Sequence, residues 1–312
     1  MDPRFYYSAG PLSLARLIAE LEVDAPDGRA LEDEIHKIAP LSDSQPGDLC
    51  FLESKAHLDG LSTAKATACF TTAKLAPKVG EVGIVPLISA SPKAHFGRAI
   101  EKLFSERQDC VPKIDPTAKI HATAVIGPGV TIGARTRIGA YAVIEKADIG
   151  ADCDIQAHAV IGGDGLGVSG DEQGMLSLFH VGTVRIGDRV RVGSQSCVDR
   201  AMMGETILED DVKLDNLVQV AHNCRIGART IIASLTGISG SCDIGCDVRM
   251  GGQVGMADHL SVGDGATLLA KAGVMHDVPA GESWVGSPAQ PARQFMREVA
   301  MLRKLSNGKS KK

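Results

Sequence analysis

Nine histidines supply the groups best suited to acid–base chemistry near neutral pH, and one of them, His222, has an unusual setting. It lies in LDNLVQVAHNC, with Asp215 seven positions before it and Gly240 eighteen after it. A carboxylate that reaches an imidazole fixes its tautomer and leaves the second ring nitrogen free to act as a base. A glycine close to that base exposes a backbone N–H with no side chain in the way. Together they suit acyl transfer, in which the base takes a proton from an attacking amine or hydroxyl. The N–H stabilises the oxyanion that forms on the acyl carbon. An isolated histidine is more often a solvated or corner-packing side chain, so the surrounding elements decide between the two.

Those elements follow one rule. From Leu208 to Val274, aliphatic or methionine residues recur every six positions, through Leu214, Val220, Ile226, Ile232, Ile238, Ile244, Met250, Met256, Val262 and Leu268. A period of six fits neither a helix nor an alternating strand. It is the hexapeptide signature of a parallel β-helix, in which three hexapeptides form one triangular coil of 18 residues. Residues 18 apart therefore stack, and Gly240 falls one coil, roughly 5 Å, above His222. His276 shares the column of His222 three coils up, roughly 14 Å away, and His259 lies two coils, roughly 10 Å, above Asn223. These spans exceed the ~2 Å reach of a zinc ligand, so no metal site is expected within one chain. Cys224 and Cys242 also stack, at inward positions, as small reduced hydrophobes of a cytosolic protein.

The same pattern starts at Ile114 and gives 24 hexapeptides, or about eight coils. One residue is missing near Glu145-Lys146-Ala147-Asp148, and an excursion, GGDGLGVSGDEQGMLSLFHVG, leaves the repeat at Gly162. The fold expected is mainly β. A left-handed parallel β-helix over 106–280, with loop 162–183, is preceded by a small α/β domain over 1–105. A carboxy-terminal segment with a helix over 281–312 follows. In the first domain, Ser13 caps a helix through Leu14, Leu17, Ile18 and Leu21, and Pro92 opens a second. Phe295, Val299, Leu302 and Leu305 give the last helix an apolar stripe that fits another copy of the chain. Its basic end, Lys309, Lys311 and Lys312, is a solvated tail or a docking point for an acidic partner.

A net charge of −5 argues against a generally basic nucleic-acid binder. No apolar run approaches the ~20 residues that span a bilayer, and MDPRFYYSAG does not have the form of a signal peptide. A cytoplasmic location is expected.

The segments LDNLVQVAHNCRIG, VIGGDGLGV and VRIGDRVRVGSQSCVDR, with the amino-terminal domain, resemble the UDP-3-O-acylglucosamine N-acyltransferase family. The resemblance spans nearly the whole chain. It implies a cytoplasmic homotrimer with sites in grooves between β-helices and no tightly bound cofactor. It implies transfer of a 3-hydroxyacyl chain from acyl carrier protein, as a phosphopantetheine thioester, to the 2-amino group of UDP-3-O-(3-hydroxyacyl)glucosamine in lipid A synthesis. The lipid-bearing substrate is compatible with peripheral membrane contact. His222 matches the family's general base, Gly240 its oxyanion-hole glycine and His259 its second active-site histidine. Asp215 and Asn216 match its DN pair. The uracil-binding aromatic-x2-Asn-x2-Tyr pattern reads Phe51, Ser54 and His57 here, and the usual Phe of the DGFG loop is Leu166. Ser54 and His57 keep open an acyl- or acetyltransferase acting on another nucleotide amino sugar. Metal ligands shared between subunits, as in a β-helix hydratase, are a further alternative.

Overall fold

The computed structural model describes residues 1–25, 31–172, 174–287 and 289–308. Lys309, Lys311 and Lys312 lie outside the described residues.

Among the described residues four α-helices fall outside the β-helix: α1 (Leu14–Leu21), α2 (Ala76–Glu81), α3 (Pro92–Leu103) and α4 (Ala292–Gly308). Ser13 caps α1, its hydroxyl accepting from Arg16 N–H at 3.3 Å, and Leu14, Leu17 and Leu21 turn inward. A four-stranded parallel sheet orders Lys37–Ile38, Asp48–Leu52, Ala68–Thr71 and Val85–Ile88, with α3 against its middle strands. The strand Asp48–Leu52 is apolar on both faces because two clusters cover it. Leu49 joins the main core, and Cys50 and Leu52 pack with Val79 and Ile84.

From Lys113 onward the chain winds as a left-handed β-helix with three parallel sheets of nine, eight and eight strands. Most strands are two residues long, because each flat side of the triangle is short. The 18-residue register is direct: Val220 pairs with Ile238, Ile238 with Met256, and Met256 with Val274. Where the sequence is one residue short the step becomes 17, as in Ile144↔Ile161. One face continues to Ser283–Trp284, where Trp284 pairs with Leu268. Corner residues such as Asn223, Ser241 and His259 take left-handed backbone, with φ of 61°, 61° and 57°. Inward aliphatic residues and Cys224 and Cys242 fill the interior, and both thiols are free and buried.

The excursion after Gly162 folds into an antiparallel hairpin, Val168–Asp171 with Gly174–Ser177. It packs on α3, where Gly97 leaves room for Leu178, and Arg98 pairs with Asp171 at 2.5 Å. One continuous apolar cluster therefore runs from the first domain into the coils. On α4, Phe295, Met296, Met301, Leu302 and Leu305 are exposed.

Candidate active site

His222 follows the strand Gln219–Val220, with its ring half-buried at a corner of the triangle. Its Nδ1 lies 3.1 Å from Asn223 Oδ1. The Asn223 amide has only one consistent orientation. Its oxygen accepts from Met202 N–H at 3.0 Å, and its nitrogen donates to the Met203 carbonyl at 2.8 Å. Nδ1 of His222 therefore carries the proton, and Nε2 keeps the lone pair a base needs. Asparagine suits this corner doubly, since it tolerates the left-handed backbone better than most residues.

Gly240 lies one coil above, as the 18-residue spacing requires. A β-carbon there would sit 2.7 Å from His222 Cε1 and 2.8 Å from Nε2, so only glycine admits the ring. Among the described residues its N–H has no hydrogen-bond partner. Its carbonyl accepts from His259 N–H at 3.0 Å. Asn223, Ser241 and His259 stack in the adjoining column of the same corner, so the site is built from three successive coils.

The amino-terminal domain closes the other side. Phe51, Ser54 and His57 line the same cleft, of about 680 Å³, as His222 and His259. Leu166, Met202 and Met203 give it an apolar wall. Phe51 rests on Phe96 with ring centres 5.0 Å apart, and His57 is exposed. The Ser54 hydroxyl is already engaged, accepting from Ala56 N–H at 3.2 Å as the cap of the short helix Lys55–Ser62. An apolar cleft with a few convergent polar groups between two domains is the usual form of a small-molecule site.

Residues 33–102 match the family model described as UDP-3-O-(3-hydroxymyristoyl) glucosamine N-acyltransferase, LpxD. Residues 110–171, the first coils, match the GMPPB C-terminal domain. The UDP-3-O-acylglucosamine N-acyltransferase of Caulobacter sp. (strain K31) is 36% identical, over 99% of this chain and 98% of its own. That of Maricaulis maris (strain MCS10) is 37% identical, also over 99% and 98%. The chain belongs to the UDP-3-O-acylglucosamine N-acyltransferase family. It is an acyltransferase. Among solved structures, the UDP-N-acetylglucosamine acyltransferase of Francisella novicida aligns at 22% identity and a TM-score of 0.48, over 61% of this chain and 72% of that one.

One contact expected at this site is not made within the chain. Asp215 does not orient His222; its carboxylate takes hydrogen bonds from the Ser234 hydroxyl and from Asn216 Nδ2 at 3.1 Å. The Ser234 hydrogen bond, with the backbone of Asn216, holds the Asp215 carboxyl below its ordinary pKa. Asn216 Oδ1 accepts from Ser194 N–H at 2.8 Å, so the DN pair braces adjacent coils. The side chain beside the histidine, Asn223, takes the place assigned to Asp215. The reason is the corner itself: a residue seven positions back lies on another side of the triangle.

Two groups of the site carry no signal in the repeat. Asp199 lies where the hexapeptides break. Burial raises its carboxyl pKa, while Gln219 Nε2 at 2.8 Å and the charge of nearby His222 work against the rise. His180 lies in the excursion, outside every column, and is fully buried. Its ring meets that of His222 edge-on, with centroids 5.3 Å apart at 85°. Arg200, almost wholly buried, ties the excursion down. It donates to the carbonyls of Gly162 at 2.9 Å and His180 at 3.1 Å, and it pairs with Asp164.

Proposed function

We propose that the protein transfers a 3-hydroxyacyl chain from acyl carrier protein to the 2-amino group of UDP-3-O-(3-hydroxyacyl)glucosamine, a step of lipid A synthesis. His222 Nε2 removes a proton from the amine as its lone pair attacks the thioester carbonyl. The Gly240 N–H stabilises the resulting oxyanion. The C–S bond then breaks, and the phosphopantetheine sulfur leaves with the proton held by the imidazolium. The single observation that carries this reading is that Gly240, whose N–H has no hydrogen-bond partner among the described residues, packs against the His222 ring. The family's name supports the acceptor, and the apolar cleft wall of Leu166, Met202 and Met203 suits a lipid-bearing sugar. In this reading His259, Phe51 and His57 contact the acceptor, and Asp215 and Asn216 brace the coils behind it. The chain works in the cytoplasm as a homotrimer, the exposed stripe of α4 packing against its copies.

Changing His222→Ala tests the reading. Turnover with carrier-bound 3-hydroxyacyl donor falls by roughly 10²–10⁴-fold, while thermal unfolding is unchanged within a few degrees. Retained turnover in a folded variant rejects His222 as the base.

A second reading rests on Ser54. Its hydroxyl caps a helix and brings no amide to a uracil edge, which favours a different nucleotide amino sugar. A panel of UDP- and dTDP-amino sugars with carrier-bound and CoA-bound donors separates the two.

A further inference from the structure

We propose that His180 is a positioning residue for His222, a neutral imidazole that pins the Gly165–Gly167 turn of the excursion against the catalytic ring. The proposal rests on the reading of His222 as the base.

Gly165 lies against both imidazoles. A β-carbon there would lie 2.8 Å from His180 Cε1 and 2.8 Å from His222 Cβ. Gly165 N–H donates to His180 Nδ1 at 3.3 Å, which requires an unprotonated Nδ1. The Arg200 carbonyl, also 3.3 Å from Nδ1, can only accept, so it bonds the ring only when Nδ1 carries a proton, and the two contacts exclude one another. Gly167 likewise leaves room for the His180 ring at Nε2. Nε2 itself is buried and has no hydrogen-bond partner among the described residues. A buried polar atom left unpaired is costly, so packing alone gives no reason for histidine where an apolar side chain would fill the space. What the ring provides is an acceptor for Gly165 and an edge for His222.

The surroundings favour the neutral form. Tyr6, from the amino-terminal domain, donates its hydroxyl to the His180 carbonyl at 3.1 Å. Asp164 faces it from the excursion, Asp199 and Arg200 come from the next segment, and His222 from the corner. Glu106 answers Arg200 at 3.7 Å. Burial holds the His180 pKa below the ordinary histidine value, against the opposing hydrogen bond to the Arg200 carbonyl and the Asp164 carboxylate, with the charges of His222 and Arg200 adding to burial. Protonation would remove the acceptor for Gly165 N–H and set a second cation beside His222. The active form therefore has both rings neutral. In log kcat/KM against pH, protonation of His180 adds one unit of slope to the acid limb.

Two variants of the full chain test this. His180→Leu removes the acceptor, and kcat at pH 8 falls at least tenfold with KM changing less than threefold. His180→Asn restores an acceptor that does not titrate. It recovers most of the kcat lost in His180→Leu, and its acid limb lacks that added unit of slope down to the lowest pH at which circular dichroism shows it folded. An acid limb in His180→Asn as steep as that of the unmodified protein overturns the proposal, as does full kcat in His180→Leu. If His180→Leu does not fold, the slope in His180→Asn still decides. Failure here with an inactive His222→Ala rejects only His180, whereas an active His222→Ala rejects the base itself.

Discussion

The bare α-carbon of Gly240 lies directly against the imidazole of His222, and a β-carbon there would come within 2.8 Å of Nε2. Nothing in the Gly240 backbone demands glycine, since its φ is not in the left-handed range. The constraint is the ring alone, and this makes the pair separable from folding.

Gly240→Ala is therefore expected to fold and to lose activity. The methyl group displaces the His222 ring and covers the oxyanion position, so kcat falls by roughly 10²–10³-fold. The midpoint of thermal unfolding changes little. Steady-state kinetics beside a melting curve check both parts; an active Gly240→Ala enzyme would show that the ring tolerates the shift.

Asn223 combines two roles that substitutions can split. Asn223→Ala loses the side-chain hydrogen bonds to Met202 and Met203 and places a β-carbon at a φ of 61°. The backbone part costs about 1–2 kcal/mol. Asn223→Gly relieves that strain but not the loss of the amide. Both variants are expected to lower kcat about tenfold or more, because the tautomer of His222 is no longer fixed, while Asn223→Gly melts higher than Asn223→Ala. Equal turnover in Asn223→Gly and the unmodified protein would remove Asn223 from the mechanism.

Asp199 sets stability against activity. Burial raises its carboxyl pKa in the folded state. Between the unfolded and folded pKa values the native state holds more protons than the unfolded one. The contribution of Asp199 to stability is thus full below about pH 3.8 and is lost as pH rises through the folded pKa. Asp199→Asn carries no charge to bury, so it melts higher than the unmodified protein at pH 7, and the gap narrows towards pH 4. The same change removes the negative charge that faces His222, so turnover falls. Melting curves at the two pH values, with kcat at pH 7, test both halves.

Much of this molecule is legible along the chain because a β-helix is nearly one-dimensional. Each coil touches only the coils above and below it. The period of six fixes which side chains point inward, and the period of 18 fixes which ones stack. Gly240 over His222, Cys224 beneath Cys242 and the one-residue deficit near Lys146 follow from counting. The arithmetic fails across a corner, where Asp215 was expected beside His222 and Asn223 stands instead. Direction around the triangle, not distance along the chain, governs that contact.

The excursion and the amino-terminal domain obey no period. That Gly165 lies against both His180 and His222, that buried Arg200 pairs with Asp164, and that Phe51 and His57 share a cleft with His259 depend on two folded bodies meeting. The sequence by itself determined the coil, its register and the histidine with a glycine above it, because short-range periodicity dictates each coil independently. Tertiary structure alone decided which side chain orients that histidine and what closes the site around it. Those contacts join segments with no common repeat, so only packing and hydrogen bonding in three dimensions select them.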